Sequence, residues 1–252
     1  MIYPPQLRRI SVAFAVGLSL LSPAYAQVDG PPKALREAPL TAESVQKMLD
    51  QTKADASLDD AGKAEVTPLL EAAIASLTSA KEFQDETTKL KEIGEKGPAE
   101  VKQLQTSLAA RQNGKTPVGE AEEELPADAS AEMINTRLNS EKARLTELTR
   151  QVSEWNNQLG TLEERPGANR TRFVELTRLL AEAQLKFGRW NGQSATTPIE
   201  KAQLAADQSA IRAYRSELAM LEQESLTFDL SRDLAEARRA LTAADLNQLR
   251  SL

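Results

Sequence analysis

AEMINTRLNSEKARLTELTRQVSEWNNQLGTLEE, residues 131–164, places nine positions at alternating spacings of four and three: Ile134, Leu138, Glu141, Leu145, Leu148, Val152, Trp155, Leu159 and Leu162. Eight of the nine are apolar or aromatic. A helix brings positions so spaced onto one stripe, and a stripe this narrow is a coiled-coil seam. At 1.5 Å per residue such a helix is on the order of 50 Å long, more than a round core needs. Glu141 alone interrupts the seam. It fits equally a polar residue that sets register against a basic partner and a wet, frayed stretch of the helix.

Toward the C-terminus, Arg165-Pro166-Gly167 predicts a stop, because proline cannot donate the helical hydrogen bond. A second seam follows at Phe173, Leu176, Leu180, Ala183, Phe187 and Trp190, and Asn191-Gly192 is the expected end of that helix. Thr197-Pro198-Ile199-Glu200 combines a cap threonine, a first-turn proline and a returning glutamate, which marks a strong helix start. Its seam runs through Leu204, Ile211, Tyr214, Leu218 and Leu221. A last helix carries Leu230, Leu234, Ala237 and Leu241 to the C-terminus. Short connections make antiparallel neighbours, so residues 131–225 predict a three-helix up-down-up unit inside a long-helix bundle spanning 129–252.

Toward the N-terminus, residues 112–128 hold Asn113-Gly114, Pro117, Gly119, Glu122-Glu123-Glu124 and Pro126, the composition of an acidic loop. The acidic run lacks the alternating ligands and glycine turn of a calcium loop. Residues 41–111 predict shorter helices. One covers about Thr41–Lys53, with Val45, Met48 and Leu49 on one face. A longer one starts at Ser57, three residues before Asp60, and runs through Val66, Leu70, Ile74 and Leu77 toward Leu90. Pro68 should kink it or restart it with Thr67 as cap, and Gly94, Gly97 and Pro98 should end it before a short helix with Val101, Leu104 and Leu108. Residues 27–40, with Pro31, Pro32 and Pro39, read as a flexible tether.

Arg8-Arg9, the apolar stretch Ile10–Leu21 and Ala24-Tyr25-Ala26 form the three parts of a secretory signal peptide over residues 1–26, with cleavage expected after Ala26. The apolar stretch falls short of the roughly 18 residues a membrane span requires. Those residues contain two basic and no acidic side chains, so 29 of the 31 Lys+Arg remain against 37 Asp+Glu, a net charge of −8. Nucleic acid is a poor partner for such a chain. The sequence has no cysteine and no histidine, which removes disulfides, thiol catalysis, the usual general base and most zinc sites. Carboxylate-only hydrolysis would still need a cleft, and few aromatics are present to build one. The expectation is therefore a non-enzyme with no metal and no cofactor.

Trp155 and Trp190 sit on apolar seams, where aromatics supply core area more often than they stack on ligands. Asn169-Arg170-Thr171 matches a glycosylation acceptor by pattern alone, and Arg238-Arg239 alternates with acids as a solvated face does.

The stretches Leu204-Ala205-Ala206, Ser216-Glu217-Leu218-Ala219-Met220-Leu221-Glu222-Gln223-Glu224 and Ser231-Arg232-Asp233-Leu234-Ala235-Glu236-Ala237-Arg238, with the seam from Ile134 to Leu162, resemble a known region. It is the N-terminal periplasmic helical region, the MscS porin domain, of the large MscK-type mechanosensitive channels. The resemblance covers most of the chain after residue 41. It implies an all-α fold, an elongated antiparallel helical bundle with coiled-coil-like hairpins, exported to the periplasm. It also implies a module that does not itself conduct, and that modulates gating or assembly of a channel protecting against osmotic shock. Its partners would be the channel's transmembrane region, where the reading frame continues, or envelope proteins, with a homo-oligomer formed through the channel. None of that family's pore positions exists in this sequence. A stand-alone periplasmic coiled-coil adaptor of an envelope complex has the same helices and stays open as the alternative; a net charge of −8 disfavours a substrate-holding chaperone.

Overall fold

The computed structural model describes residues 40–113, 128–190 and 193–251. The proposed signal peptide, the tether up to residue 39, loop positions 114–127 and the stop at Asn191-Gly192 lie outside the described residues. Helix makes up 90% of what is described, with no strand among those residues, so the fold is all-α. Four helices follow in order: α1, Ala42–Ala54; α2, Asp60–Gln112; α3, Ala131–Gly188; and α4, Pro198–Arg250. The three long ones have lengths of about 80 to 87 Å.

Their starts are set by side chains that satisfy the first free amides. Thr41 and Ser44 form a reciprocal capping box on α1, and Thr197 and Glu200 do the same on α4 with Pro198 behind the cap. Ser130 caps α3. The α2 start differs from expectation. Ser57 is taken by Asp55, whose Oδ1 accepts from its amide at 2.8 Å and its hydroxyl at 2.6 Å, so Asp59 becomes the cap and accepts from the Gly62 amide at 2.8 Å.

Two expected breaks do not occur, and α2 does not restart at Pro68. α2 passes through Pro68 and through Gly94, Gly97 and Pro98, and α3 passes through Arg165-Pro166-Gly167. Each of these prolines faces solvent, where water can replace the one missing hydrogen bond, while the packed face of the helix continues on both sides. On α3 that face keeps step across the proline, with Trp155, Leu162, Asn169, Leu176, Ala183 and Trp190 each seven residues apart and every one at least partly buried. The two seams of residues 131–190 thus lie on one helix, and the expected helix at Leu230–Leu241 is the second half of α4.

The up-down-up unit is accordingly built from α2, α3 and α4. Contacts between α3 and α4 run in opposite directions along the chain: Arg165 meets Glu224, Arg172 meets Glu217, and Trp190 meets Asp207. Those between α2 and α4 rise together: Gln84 with Ser216, Gly97 with Leu230, Arg111 with Asp245. α4 is therefore central, antiparallel to α3 and parallel to α2, and α2 and α3 scarcely touch. α1 packs on α2, and Val45, Leu49, Val66, Leu70, Ala73 and Leu77 close a core with Ala202 and Ala205 of α4.

Candidate functional site: the faces of the central helix

α4 serves two partners with two different stripes. Toward α2 it presents small side chains, Ala202, Ala205, Ser209, Ala213, Ser216 and Thr227, all buried. Small residues let the axes approach, and on α2 the answering position is a glycine. A Cβ at Gly97 would stand 2.8 Å from Leu230 Cδ2 and 3.0 Å from its Cγ, so a methyl there would force Leu230 to shift. Gly97 lies where the chain needs room rather than a stop.

Toward α3 the stripe steps by seven through Asp207, Tyr214, Leu221, Phe228 and Ala235. Leu159 and Leu162 of α3 cluster with Ala235, with Phe228 and Trp155 packed against them. Polar bonds line both interfaces. Arg165 Nη1 donates to Glu224 Oε1 at 2.7 Å, and the Glu224 side chain is only 11% exposed. Arg172 forms a fork on Glu217, with Nε to Oε1 at 2.6 Å and Nη2 to Oε2 at 3.0 Å, and also reaches Glu175. Its guanidinium is held well above its ordinary value, chiefly by the Glu217 bond and then by Glu175. The indole of Trp190 donates to Asp207 Oδ2 at 3.1 Å.

One contact joins all three long helices. Arg238 of α4 bonds Glu100 of α2 while its guanidinium carbon lies 5.5 Å from the ring centre of Trp155 on α3, a cation–π geometry. Near the far end Asp245 lies 3.2 Å from Arg111 of α2. Burial raises its pKa, and Arg111 and Arg144 oppose that shift.

The eighteen seam positions read from the sequence divide by depth. Leu159, Leu162, Leu176, Trp190 and Leu221 are buried. Leu145, Leu148, Val152, Trp155, Leu180, Phe187, Leu204, Ile211, Tyr214 and Leu218 are half-buried. Ile134, Leu138 and Phe173 are exposed. Following the Arg165–Glu224 and Arg172–Glu217 register, Ile134 and Leu138 reach the level where the described part of α4 ends, so no described residue of α4 stands opposite. Glu141 is half-buried and pairs with Arg137 one turn away at 2.9 Å, while its second carboxylate oxygen is buried without a hydrogen-bond partner among the described residues. The small stripe of α4 and the arginine contacts were not part of the seam reading; small residues repeating at three and four from Ala202 to Ser216 were the signal for the stripe, and the arginine contacts had none.

Two cavities flank the α3–α4 seam near Pro166. One, of about 460 Å³, lies between α2, α3 and α4 and is lined by Leu90, Arg165, Arg172, Glu217 and Met220. The other, of about 580 Å³, opens between α3 and α4 and is lined by Phe173, Leu221, Leu226 and Phe228. Glu100, Glu217, Glu224 and Asp245, carboxylates drawn between helices, each face a guanidinium. That geometry joins helices and offers no free acid–base pair. Among the described residues no group of three or more potential metal ligands gathers, and no helix is long and apolar enough to cross a membrane.

Residues 48–251 match the family described as Mechanosensitive ion channel porin domain. The chain belongs to that family. The match takes in the second half of α1 and all of α2, α3 and α4. It is a channel domain family rather than an enzyme family. No curated protein and no solved structure matches the chain. The porin domain is thus a channel-related helical module.

Proposed function

We propose that this porin domain is the periplasmic part of an MscK-type mechanosensitive channel system, that it lines no pore, and that it biases gating or assembly during osmotic shock. The observation that carries the reading is the family match across residues 48–251, over helices whose buried apolar residues pack against one another. The amino-terminal signal pattern supports export. An external module can shift a gating equilibrium only by interacting differently with the closed and open states. A stack with α4 clamped on both sides is suited to that, since it passes displacement along its length instead of yielding locally.

Patch recordings of the channel with and without residues 27–252 test this. The expected result is an unchanged unitary conductance with a shifted opening threshold, adaptation or assembly yield. A large loss of conductance in channels that still assemble would place the module in the permeation path and overturn the reading.

A further inference from the structure

α4 holds the two halves of α3 unequally. C-terminal to Pro166 the helix buries Leu176, Ala183 and Trp190, and the Trp190 indole bonds Asp207. N-terminal to it, no side chain of residues 131–158 is buried, and Leu159 and Leu162 are the first that are. The firmest ties of that half are those two leucines on Ala235, Trp155 against the Arg238 guanidinium, Arg165 on Glu224, and the charge of Arg144 near Asp245. Between the halves, residues 163–175 bury no side chain. Pro166 and Gly167 lie in this gap. Proline has no amide hydrogen for the Leu162 carbonyl, so one rung of the helix is missing, and helices bend at such points. A Cβ on Gly167 would meet nothing within 4 Å, so the next residue is unhindered too. The cavities of about 580 and 460 Å³ stand at the same level, the first bounded by Pro166 and Asn169 and the second by Arg165 and Ala168, which leaves room for a bend.

We propose that α3 is a lever: residues 131–165 swing off the C-terminal half of α4 about Pro166-Gly167, while residues 168–190 stay docked. Hinges are a few positions that absorb the backbone change while the elements on either side move as bodies. α2 stays packed on α4 through the buried small stripe, so the swing gives up the ties of one half-helix and leaves the rest of the bundle closed. An arm of about 50 Å turns a small bend at Pro166 into a large displacement at Ala131. The Trp155–Arg238 contact is the latch, because Arg238 is also held by Glu100 of α2 and so fastens the arm to the fixed part of the molecule. The swing is a property of the chain itself and goes beyond the channel reading, which neither requires nor supplies it.

The sequence has no cysteine, so spin labels can be placed in pairs on the full chain and their separations measured by pulsed electron resonance. K142C/N247C reports the N-terminal half of α3 against α4, and Q184C/A219C reports the C-terminal half; all four positions are exposed. The expected result is one narrow distance for Q184C/A219C and, for K142C/N247C, the same kind of distance accompanied by a second, longer component. P166A restores the missing hydrogen bond and should cut the longer component at least about fivefold, since alanine is strongly preferred to proline inside a helix. P98A, the same change on α2, should leave it unaltered. R238A removes the latch and should raise it at least about threefold, as loss of a cation–π contact allows. Far-UV spectra of all variants should match the parent, because each substitution leaves the helices intact. A single narrow distance for both pairs, in the parent and in R238A, overturns the proposal. So does a longer component that P166A leaves in place or that P98A removes equally, and so does one seen with both pairs, which would mean that α3 leaves α4 as a whole.

Discussion

Replacing Gly97 by alanine should destabilise the domain, against the usual direction for a glycine inside a helix. In a helix interior alanine is favoured over glycine by about 1 kcal/mol. Here the new methyl would lie 2.8 Å from Leu230 Cδ2 and 3.0 Å from Leu230 Cγ, inside contact distance of a side chain wedged between α2 and α4. Overpacking of that kind costs about 1 to 3 kcal/mol. The net expectation is a loss of about 1 kcal/mol. Gly160 on α3 is the control, because a Cβ there meets nothing within 4 Å. G160A should gain up to about 1 kcal/mol, leaving the two variants about 2 kcal/mol apart, or roughly 4 to 8 °C in Tm for a chain of this size. Urea and thermal unfolding followed by circular dichroism would measure both. In a double-mutant cycle, L230A should cost less in the G97A background than in the parent, because it removes the clash. Equal stabilisation by G97A and G160A would refute the close approach of α2 and α4.

Other consequences can be read with the same assay. Leu176 is 0% exposed at the centre of the α3–α4 seam, so L176A should cost about 2 to 5 kcal/mol, and a loss below 1 would deny that seam. R165A leaves the largely buried Glu224 without its partner and should cost about 2 kcal/mol, less than a fully buried pair because Arg165 is itself half exposed. E224Q, which removes the stranded charge, should recover much of that loss in the R165A background. The Glu200 carboxyl is held at about 2, against an ordinary 4.5, by the amides of Thr197 and Thr196 and then the Thr196 hydroxyl. A depressed acid adds stability that is full above its unfolded pKa and is lost as pH falls through the folded one. The Tm gap between the parent and E200A should therefore be widest above pH 4.5 and close toward pH 2; a gap that grows on acidification would contradict the bond pattern.

What the sequence made legible was local. Thr197-Pro198-Ile199-Glu200 announces the α4 start because its chemistry lies within four residues, and the seam from Leu145 to Leu162 announces a helix because its period is long and regular. The continuity of α2 and α3 was hidden by weighting Pro68, Pro98 and Pro166 as breakers, although each sits on a solvent face where the missing bond costs least. The corrective signal was the phase: Leu162 and Leu176 stand fourteen residues apart, two whole heptads across Pro166. The α2-facing stripe of α4 escaped because alanine, serine and threonine carry little hydrophobic signal, and what they provide is space. The arginine contacts escaped for a different reason. Arg165, Arg172 and Arg238 lie amid acids at helical spacing, and nothing local distinguishes a solvated charge from one that reaches across to another helix.

The parallel pairing of α2 with α4 has a consequence for the order in which the molecule can form. Trp190 and Asp207 are 17 residues apart, so the α3–α4 hairpin can close early, whereas Gln84 and Ser216 are 132 apart and must wait for the whole of α3 to be made and laid back. Contacts so distant along the chain are slow, because the loop entropy is spent before the contact returns anything. Until α4 arrives, the described residues covering Val66, Leu70, Ala73 and Leu77 are those of the thirteen-residue α1 with Leu40 and Leu58. α1 thus acts as a provisional lid on the first helix of the bundle during synthesis, and a chain lacking it should lose yield to aggregation before it loses stability once folded.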